Sequence, residues 1–570
     1  GTVNGGATVT DATAAVITSG SQSVGGLIGE SRGNGAVNNA SATGTVTASG
    51  QYAGGLIGNH QSSTPVTDVN ASGSVTGESS TGGLIGQAEA NVINASASGD
   101  VVGTSGGKVG GLIGSMRSDI TGASATGDVN ASGNDVGGLV GQLTGADIVN
   151  ASASGDVNST AGKQAGGLVG KWEIGKNGQK ITDVTASGNV SSNGTVAGGL
   201  VGYVEETQSD YYSSISAAHA SGDVRATGGR VGGLVGFFDH SGDLIDVSAT
   251  GDVTSDTGGV VGGLVGRLRM EDSNQVVRNV SATGDVNASG NNVGGLIGNY
   301  IVGGDIRDSY ARGNVSTSGD NVGGLVGALA DGSIIDSYAR GDINSSGSAV
   351  GGLVGEASGD VKRVYASGQV EGGNNVGGLV GKNDGQLSDA YWDKGATNQS
   401  VAVGSGSSDA TGFGTVGDDT RALEMQGRAP TKFMSALNYT SPWKLTSTYP
   451  IFQRESNTSE SPLATVDTIE ASGTTGVQTE QITIEVNATA DSSRVGPGHL
   501  ITVSDPNDLD ELDNKTALTN QNGTATFTFA EPTTGTFEPT FVAVSDSSVT
   551  AITTVEVNEG TARTYTREDG

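Results

Sequence analysis

Along most of this chain, apolar and polar residues alternate in runs too short for a helix. In NVSATGDVNASGNNVGGLIGN, Asn279–Asn299, Val280 and Ala282 alternate with Ser281 and Thr283, and Val286 and Ala288 flank Asn287. Period-two runs punctuated by Gly, Asn and Asp predict short strands joined by tight turns. The segment ends in a glycine box, GGLIG. The box recurs as GGLIG or GGLVG with its first glycine at Gly25, Gly54, Gly82, Gly110, Gly137, Gly166, Gly198, Gly232, Gly262, Gly294, Gly323, Gly351 and Gly377, which makes 13 copies with a mean step of about 29 residues. A fixed period in this range marks a stacked or radial repeat, and a propeller blade needs about 40 residues or more. No stretch between boxes has helical periodicity. The pattern therefore predicts an all-β chain in which a parallel β-solenoid of about 13 coils occupies residues 1–385. At a strand spacing of about 4.8 Å the coils would build a rod about 60 Å long.

Within such a stack the box reads as scaffold. A residue without a Cβ lets the backbone bend or pack closely, and Leu with Val or Ile supplies the apolar fill. An Asp recurs at the turn before the third strand, at Asp100, Asp128, Asp156, Asp223, Asp252, Asp285 and Asp342, with Asn189 and Asn314 in the same series. Repulsion between neighbours about 5 Å apart in water is below roughly 1 kcal/mol, and molar salt would screen most of it. The series therefore requires no metal, although a calcium ion, Ca2+, is the ligand such a row could take.

Composition narrows the function classes. The net charge is −32 and the sequence pI about 4.3. Phosphate-led binding of nucleic acid needs basic patches and is excluded as an expectation. High acid content, scarce lysine and small side chains point to a salt-adapted source. Cysteine is absent, so disulfides and thiolate chemistry are not available. No apolar run is long enough to span a membrane. The first residue is Gly, which reads as a processed or trimmed chain.

The pattern [VAT]-G-G-L-[IV]-G, preceded by S-[AY]-[TSR]-G-[DN]-V, resembles the GLUG repeat of microbial surface proteins. The resemblance runs over roughly residues 25–385. It implies a secreted or wall-attached protein, here haloarchaeal in character, with an adhesive or structural role. The GLUG pattern carries an aromatic in its Y-A-T-G segment. Here that holds only at Tyr310, Tyr338 and Tyr365, with Tyr391 following; earlier coils mostly have Ser. By alternation the tyrosines point outward. With Arg312 and Arg340 they form a candidate surface for a glycan or a protein partner. Eighteen N-x-S/T sequons are candidate glycosylation sites, among them Asn39, Asn70, Asn94, Asn130, Asn150, Asn287, Asn314, Asn487 and Asn514.

After the last box the composition shifts. Residues 386–455 carry Trp392 and Trp443, and Asp418, Asp419 or Thr420 could cap a short helix over Leu423 and Met425, so this segment reads as a lid on the solenoid. A polar linker, 456–463, precedes a run of alternating strands over 464–560 that predicts a β-sandwich; residues 561–570 form a tail. NQNGTATFTF, with its Asn-Gly turn, resembles bacterial Ig-like domains. The loop DPNDLDELDN offers Asp505, Asp508, Asp510 and Asp513 as a second candidate for a cation. The first 24 residues read as a degenerate coil without a cap, which would invite head-to-tail pairing with another copy. No His position repeats, and GTSGG and GFGTVG lack the strand–helix setting their motifs require. The expectation is a non-catalytic extracellular surface adhesin or self-assembling filament subunit, needing no cofactor. The alternative is a glycan-binding module built on the Tyr series.

Overall fold

The structure is a computed structural model. It describes all residues except 207–210, 240, 271–274, 302, 418–421, 456–465, 478–480, 491–492, 505–514, 532, 546 and 560–570. Two compact units emerge: residues 1–392 with 397–412, and residues 393–396 with 413–570.

The first unit is a parallel β-solenoid. Each coil contributes one strand to each of four sheets, here B, C, D and A in chain order. One coil runs Ile120–Ala125 in B, Val129–Ala131 in C, Asp135–Gly137 in D and Val140–Thr144 in A. Sheets A and B hold 15 and 16 strands, and C and D hold 13 each. Register is maintained residue for residue: Val136 pairs with Val109 on one side and Ala165 on the other, and Gly137 with Gly110 and Gly166. A large apolar cluster fills the space between A and B, and a smaller, Val-rich one lies between C and D.

The glycine box turns the chain from sheet D into sheet A. Its leucines, from Leu56 to Leu379, are fully buried. Each leucine carbonyl closes the corner twice; that of Leu84, for example, accepts the N–H groups of Leu56 at 2.9 Å and Ile57 at 3.1 Å. The glycines are needed for space and not for a left-handed backbone. A Cβ on Gly137 would stand 2.0 Å from the carbonyl oxygen of Val140, and one on Gly138 would stand 2.1 Å from that of Gly167. The same Gly138 position faces the Cβ of Ala153, the last residue of a sheet B strand. The alanine of S-A-T-G is thus the partner of the second box glycine. At the end of the stack Trp392 takes the place of that alanine in register, packs on Gly378 and donates from its indole N–H to the Gln399 carbonyl at 3.1 Å.

Sheet B kinks at the same place in nearly every coil, at a residue with φ near +50° that stands opposite its equivalent in the next coil. Asn39, Asp68, Asn94, Asn150, Asp183, Asp246, Asp308, Asp336 and Asp389 occupy this position. Asn and Asp tolerate the left-handed region better than other residues with a Cβ.

The solenoid extends past the expected boundary at residue 385. Leu387–Asp393 continues sheet B, and Val403–Gly406 adds a last strand to sheet A. These segments lack a GGL box, so the periodicity that marks the coils stops before the stack does.

In the second unit, a 3-10 turn at Leu423–Met425 buries Met425, and a helical turn follows at Pro430–Phe433. The N-cap of the first turn is Ala422, with no side-chain cap; Asp418, Asp419 and Thr420 lie outside the described residues. Fully buried Asp393 accepts from the Tyr449 hydroxyl at 2.6 Å and the Ala422 N–H at 2.8 Å. Short antiparallel strands Trp443–Lys444 and Ile451–Phe452 bring the rings of Trp443 and Phe452 to 4.6 Å. From residue 466 onward, small sheets close on one apolar cluster that includes Ile484, Phe527 and Phe541. Gln481–Ala490 pairs antiparallel with Thr524–Ala530, and Leu500–Ser504 with Thr540–Ala543; Thr474–Val477 pairs parallel with Val555–Asn558. The Asn-Gly step turns as expected, with Gly523 at φ +72°. The linker 456–463 and the tail 561–570 lie outside the described residues.

Candidate functional site

The residue that opens each sheet D strand and the residue just after each glycine box stand seven apart. Both flank the corner that the box makes, and they face each other across a groove where Ser80 and Gln87 line one cavity and where the Arg230 guanidinium lies over the Phe237 ring. The sheet D column reads Tyr52, Ser80, Lys108, Asp135, Gln164, Val196, Arg230. The sheet A column reads Asn59, Gln87, Ser115, Gln142, Lys171, Tyr203, Phe237, Arg267. Asn59, Gln87, Ser115 and Gln142 follow one another in the sheet A column and are all buried. A cavity of about 330 Å³ opens on this stretch, lined by Tyr52, Ser80, Gln87, Lys108, Asn134 and Asp135 among others.

Asp135 is 8% exposed, and burial raises its carboxyl pKa to about 6, against the pull of Lys171 and Lys108. With its amide correctly oriented, Gln164 donates to Asp135 at 2.7 Å. Burial also lowers the pKa of Lys108, which Asp135 opposes. Further along, burial works against the Lys171 ammonium, but its bonds to Glu173 at 2.8 Å and Glu205 at 2.6 Å prevail and raise its pKa. Tyr203 stacks on Phe237 at 5.2 Å, and the guanidiniums of Arg230 and Arg267 lie 4.4 and 5.5 Å from the Phe237 ring centroid.

The expected Tyr surface takes a different form. Tyr310, Tyr338 and Tyr365 do stack coil on coil, with ring centroids 5.1 and 4.9 Å apart and planes within 5°. However, Tyr338 and Tyr365 are fully buried and Tyr391 is 7% exposed; only Tyr310 is half-buried. At a spacing of one coil each ring covers the faces of its neighbours. Arg312 lies over Tyr310 and Tyr338 and donates to the Tyr338 hydroxyl at 2.8 and 3.1 Å. The expectation of an exposed aromatic platform is corrected to a closed stack. Arg340 is half-buried at its edge.

The aspartate series is a hydrogen-bond ladder. From Asp100 to Asp342, each Asp or Asn side-chain oxygen accepts the backbone N–H of the equivalent residue one coil later, at 2.7–3.1 Å. Asn189 and Asn314 do the same work as the carboxylates, so charge is not what the position requires. Asp128→Asn should leave stability within about 0.5 kcal/mol, whereas Asp128→Ala should cost about 1 kcal/mol by orphaning the Asp156 N–H. Urea unfolding of both variants checks this, and equal effects would contradict it. Asp505, Asp508, Asp510 and Asp513 lie outside the described residues.

The sequons divide by position. Asn39, Asn94 and Asn150 sit at the exposed left-handed kink, where the backbone itself favours Asn or Asp. Asn70 is exposed on sheet B, and Asn130 and Asn287 are exposed at the centre of sheet C strands. Asn314 is exposed within the Asp ladder. Asn487 is half-buried and accepts from Arg494 and Thr524. Asn514 is outside the described residues.

The sequence reading missed the groove. Its signal was present: the residues flanking the constant box vary from coil to coil and gather charged, amide and aromatic side chains between Tyr52 and Arg267. Among the described residues no group of three or more His, Asp or Glu side chains is placed to hold a metal ion, and no helix is long and apolar enough to cross a membrane.

Four segments, residues 20–47, 77–102, 132–158 and 318–344, match the GLUG motif. Over 401 residues, 69% of this chain, the sequence is 59% identical to Halomucin of Haloquadratum walsbyi. The chain spans about 4% of the length of that curated relative. No solved structure matches it.

Proposed function

We propose that this GLUG-repeat chain is a non-catalytic structural protein of the extracellular surface of a halophilic archaeon. The observation that carries this reading is the unbroken in-register stack, four parallel sheets in which nearly every repeated side chain serves the corner, the core or the ladder between coils. Likeness to a haloarchaeal protein named as a mucin supports the location, and an acidic surface suits strong salt. The C-terminal sandwich is read as Ig-like, a spacer or docking module that follows the solenoid in sequence.

In its finer form the reading is a filament subunit that joins head to tail with neighbouring copies. Among the described residues the strands Thr2–Val3, Val9–Ala14, Thr18–Gly20 and Ser23–Gly25 each pair on one side, and Val16 and Ile17 are 57% and 85% exposed. Such an edge takes a further strand readily, from a neighbouring copy or from preceding residues of the same chain. Negative-stain electron microscopy of the pure chain in high and low salt tests it. Regular filaments are expected in high salt, where the acidic surfaces are screened. Dispersed particles in both conditions would reject self-assembly.

A further inference from the structure

We propose that the groove between sheets D and A binds a neutral oligosaccharide, with Asp135 accepting hydrogen bonds from vicinal hydroxyls and Tyr52 stacking on a pyranose ring. The inference is independent of whether the chain assembles.

The cavity of about 330 Å³ presents both hydrogen-bonding senses at close quarters: the Asp135 carboxylate, the Asn134 and Gln87 amides, the Ser80 hydroxyl and the Lys108 ammonium, beside one aromatic ring. That mixture suits a ligand rich in hydroxyls, each of which both donates and accepts, with apolar C–H faces for the ring.

Asp135 points the same way. Nothing in the stack demands a carboxylate in its column, since other coils place Ser80, Lys108, Gln164, Val196 and Arg230 there. Burying an acid that forms no ion pair with Lys108 one coil away is unfavourable at neutral pH. Strained or costly groups of this kind concentrate in binding sites. Among the described residues Asp135 is the one acid lining the cavity, too few for a calcium ion, which takes six to eight oxygens. Asp135 and Lys108 offset each other's charge, and in molar salt long-range attraction for an ionic ligand is screened within about 3 Å. A neutral ligand held by short hydrogen bonds keeps its affinity there. Successive coils repeat at about 4.8 Å, close to the length of one pyranose unit, so a linear chain laid along the groove meets the side chains of one further coil at each sugar.

The test is isothermal titration calorimetry of the full chain, in the salt that keeps it folded, with three neutral tetrasaccharides: β-1,4-linked glucose, α-1,4-linked glucose and β-1,4-linked mannose. Binding of at least one is expected, weakened tenfold or more by Asp135→Asn and by Tyr52→Ala and unchanged by Arg340→Ala at the tyrosine stack. Asp135→Asn removes a buried charge, so it should fold at least as well as the parent, which keeps loss of binding separate from loss of structure. The proposal is overturned if none of the three binds, if Asp135→Asn and Tyr52→Ala bind as the parent does, or if Arg340→Ala abolishes binding. Cleavage of the bound sugar, read by chromatography of the titrated mixture, would replace binding with catalysis and overturn it as well.

Discussion

Gly138→Ala should break the solenoid at the coil that carries it. The new methyl would be built 2.1 Å from the Gly167 carbonyl oxygen and 3.2 Å from the Ala153 Cβ. Neither neighbour is the free end of a side chain, so the clash can be relieved only by separating two coils or by opening the turn. Either movement forfeits the backbone bonds of the adjoining box, where the Leu139 and Val140 N–H groups both donate to the Leu168 carbonyl at 2.9 Å. Overpacking in a side-chain core costs 1–3 kcal/mol, and against fixed backbone the cost should be about 3 kcal/mol or more. Because each coil contacts mainly its neighbours, the damage should be local, splitting the stack into two cooperative blocks. Urea unfolding followed by far-UV circular dichroism should become biphasic, and limited proteolysis should cut near residues 138–170. Gly106→Ala is the control: the nearest atom to its added methyl is the Asn134 Nδ2 at 3.8 Å, so its stability should stay within about 0.5 kcal/mol of the parent. If both variants unfold like the parent, the crowded corner is not what holds the coils together.

The same box shows why so much of this fold could be read from sequence. The step of about 29 residues, the alternation in Asn279–Asn299 and the fixed glycines together demand stacked short strands, and the sheets run where that pattern places them. The direction of each corner was not legible. Seven residues separate Asp135 from Gln142, and only the fold shows that the turn between them brings both into one groove. The tyrosines failed for a related reason. Alternation gives Tyr338 its outward direction, but exposure depends on what stands one coil above and below. There the answer is another tyrosine, with Arg312 across the hydroxyl. The sequons illustrate the converse. Asn39, Asn94 and Asn150 look like chemistry in the sequence, yet each also supplies the left-handed kink of sheet B.

Acid should weaken the C-terminal sandwich through His499 while relieving a strain in the solenoid. His499 is 2% exposed, and its Nδ1 finds no partner. Its backbone is held on both sides by Thr519, whose hydroxyl accepts the His499 N–H and whose N–H donates to the His499 carbonyl, both at 2.9 Å. Burial, aided by the nearby Arg428 charge, lowers the imidazole pKa from 6.5 to about 4. The folded state therefore keeps the ring neutral at pH values where the unfolded chain has already bound a proton. The stability this residue contributes is present above pH 6.5 and is lost as pH falls through about 4. The full loss is about 3 kcal/mol, a large part of what a small sandwich has. Asp135 has the opposite sign. Its carboxyl is raised from 3.8 to about 6, so its contribution is present below pH 3.8 and is lost as pH rises through about 6. Hydrogen exchange at pH 7, 5.5 and 4, corrected for intrinsic rates, separates the two. Protection of Leu500–Ser504 and Thr516–Leu518 should fall steadily with acid, and His499→Gln should flatten that dependence while lowering protection at pH 7. In the same samples Asp135→Asn should raise protection around Asp135–Gln142 at pH 7 and make little difference at pH 4. An unchanged acid slope in His499→Gln would mean that the sandwich's acid response arises from its carboxylates and not from this buried ring.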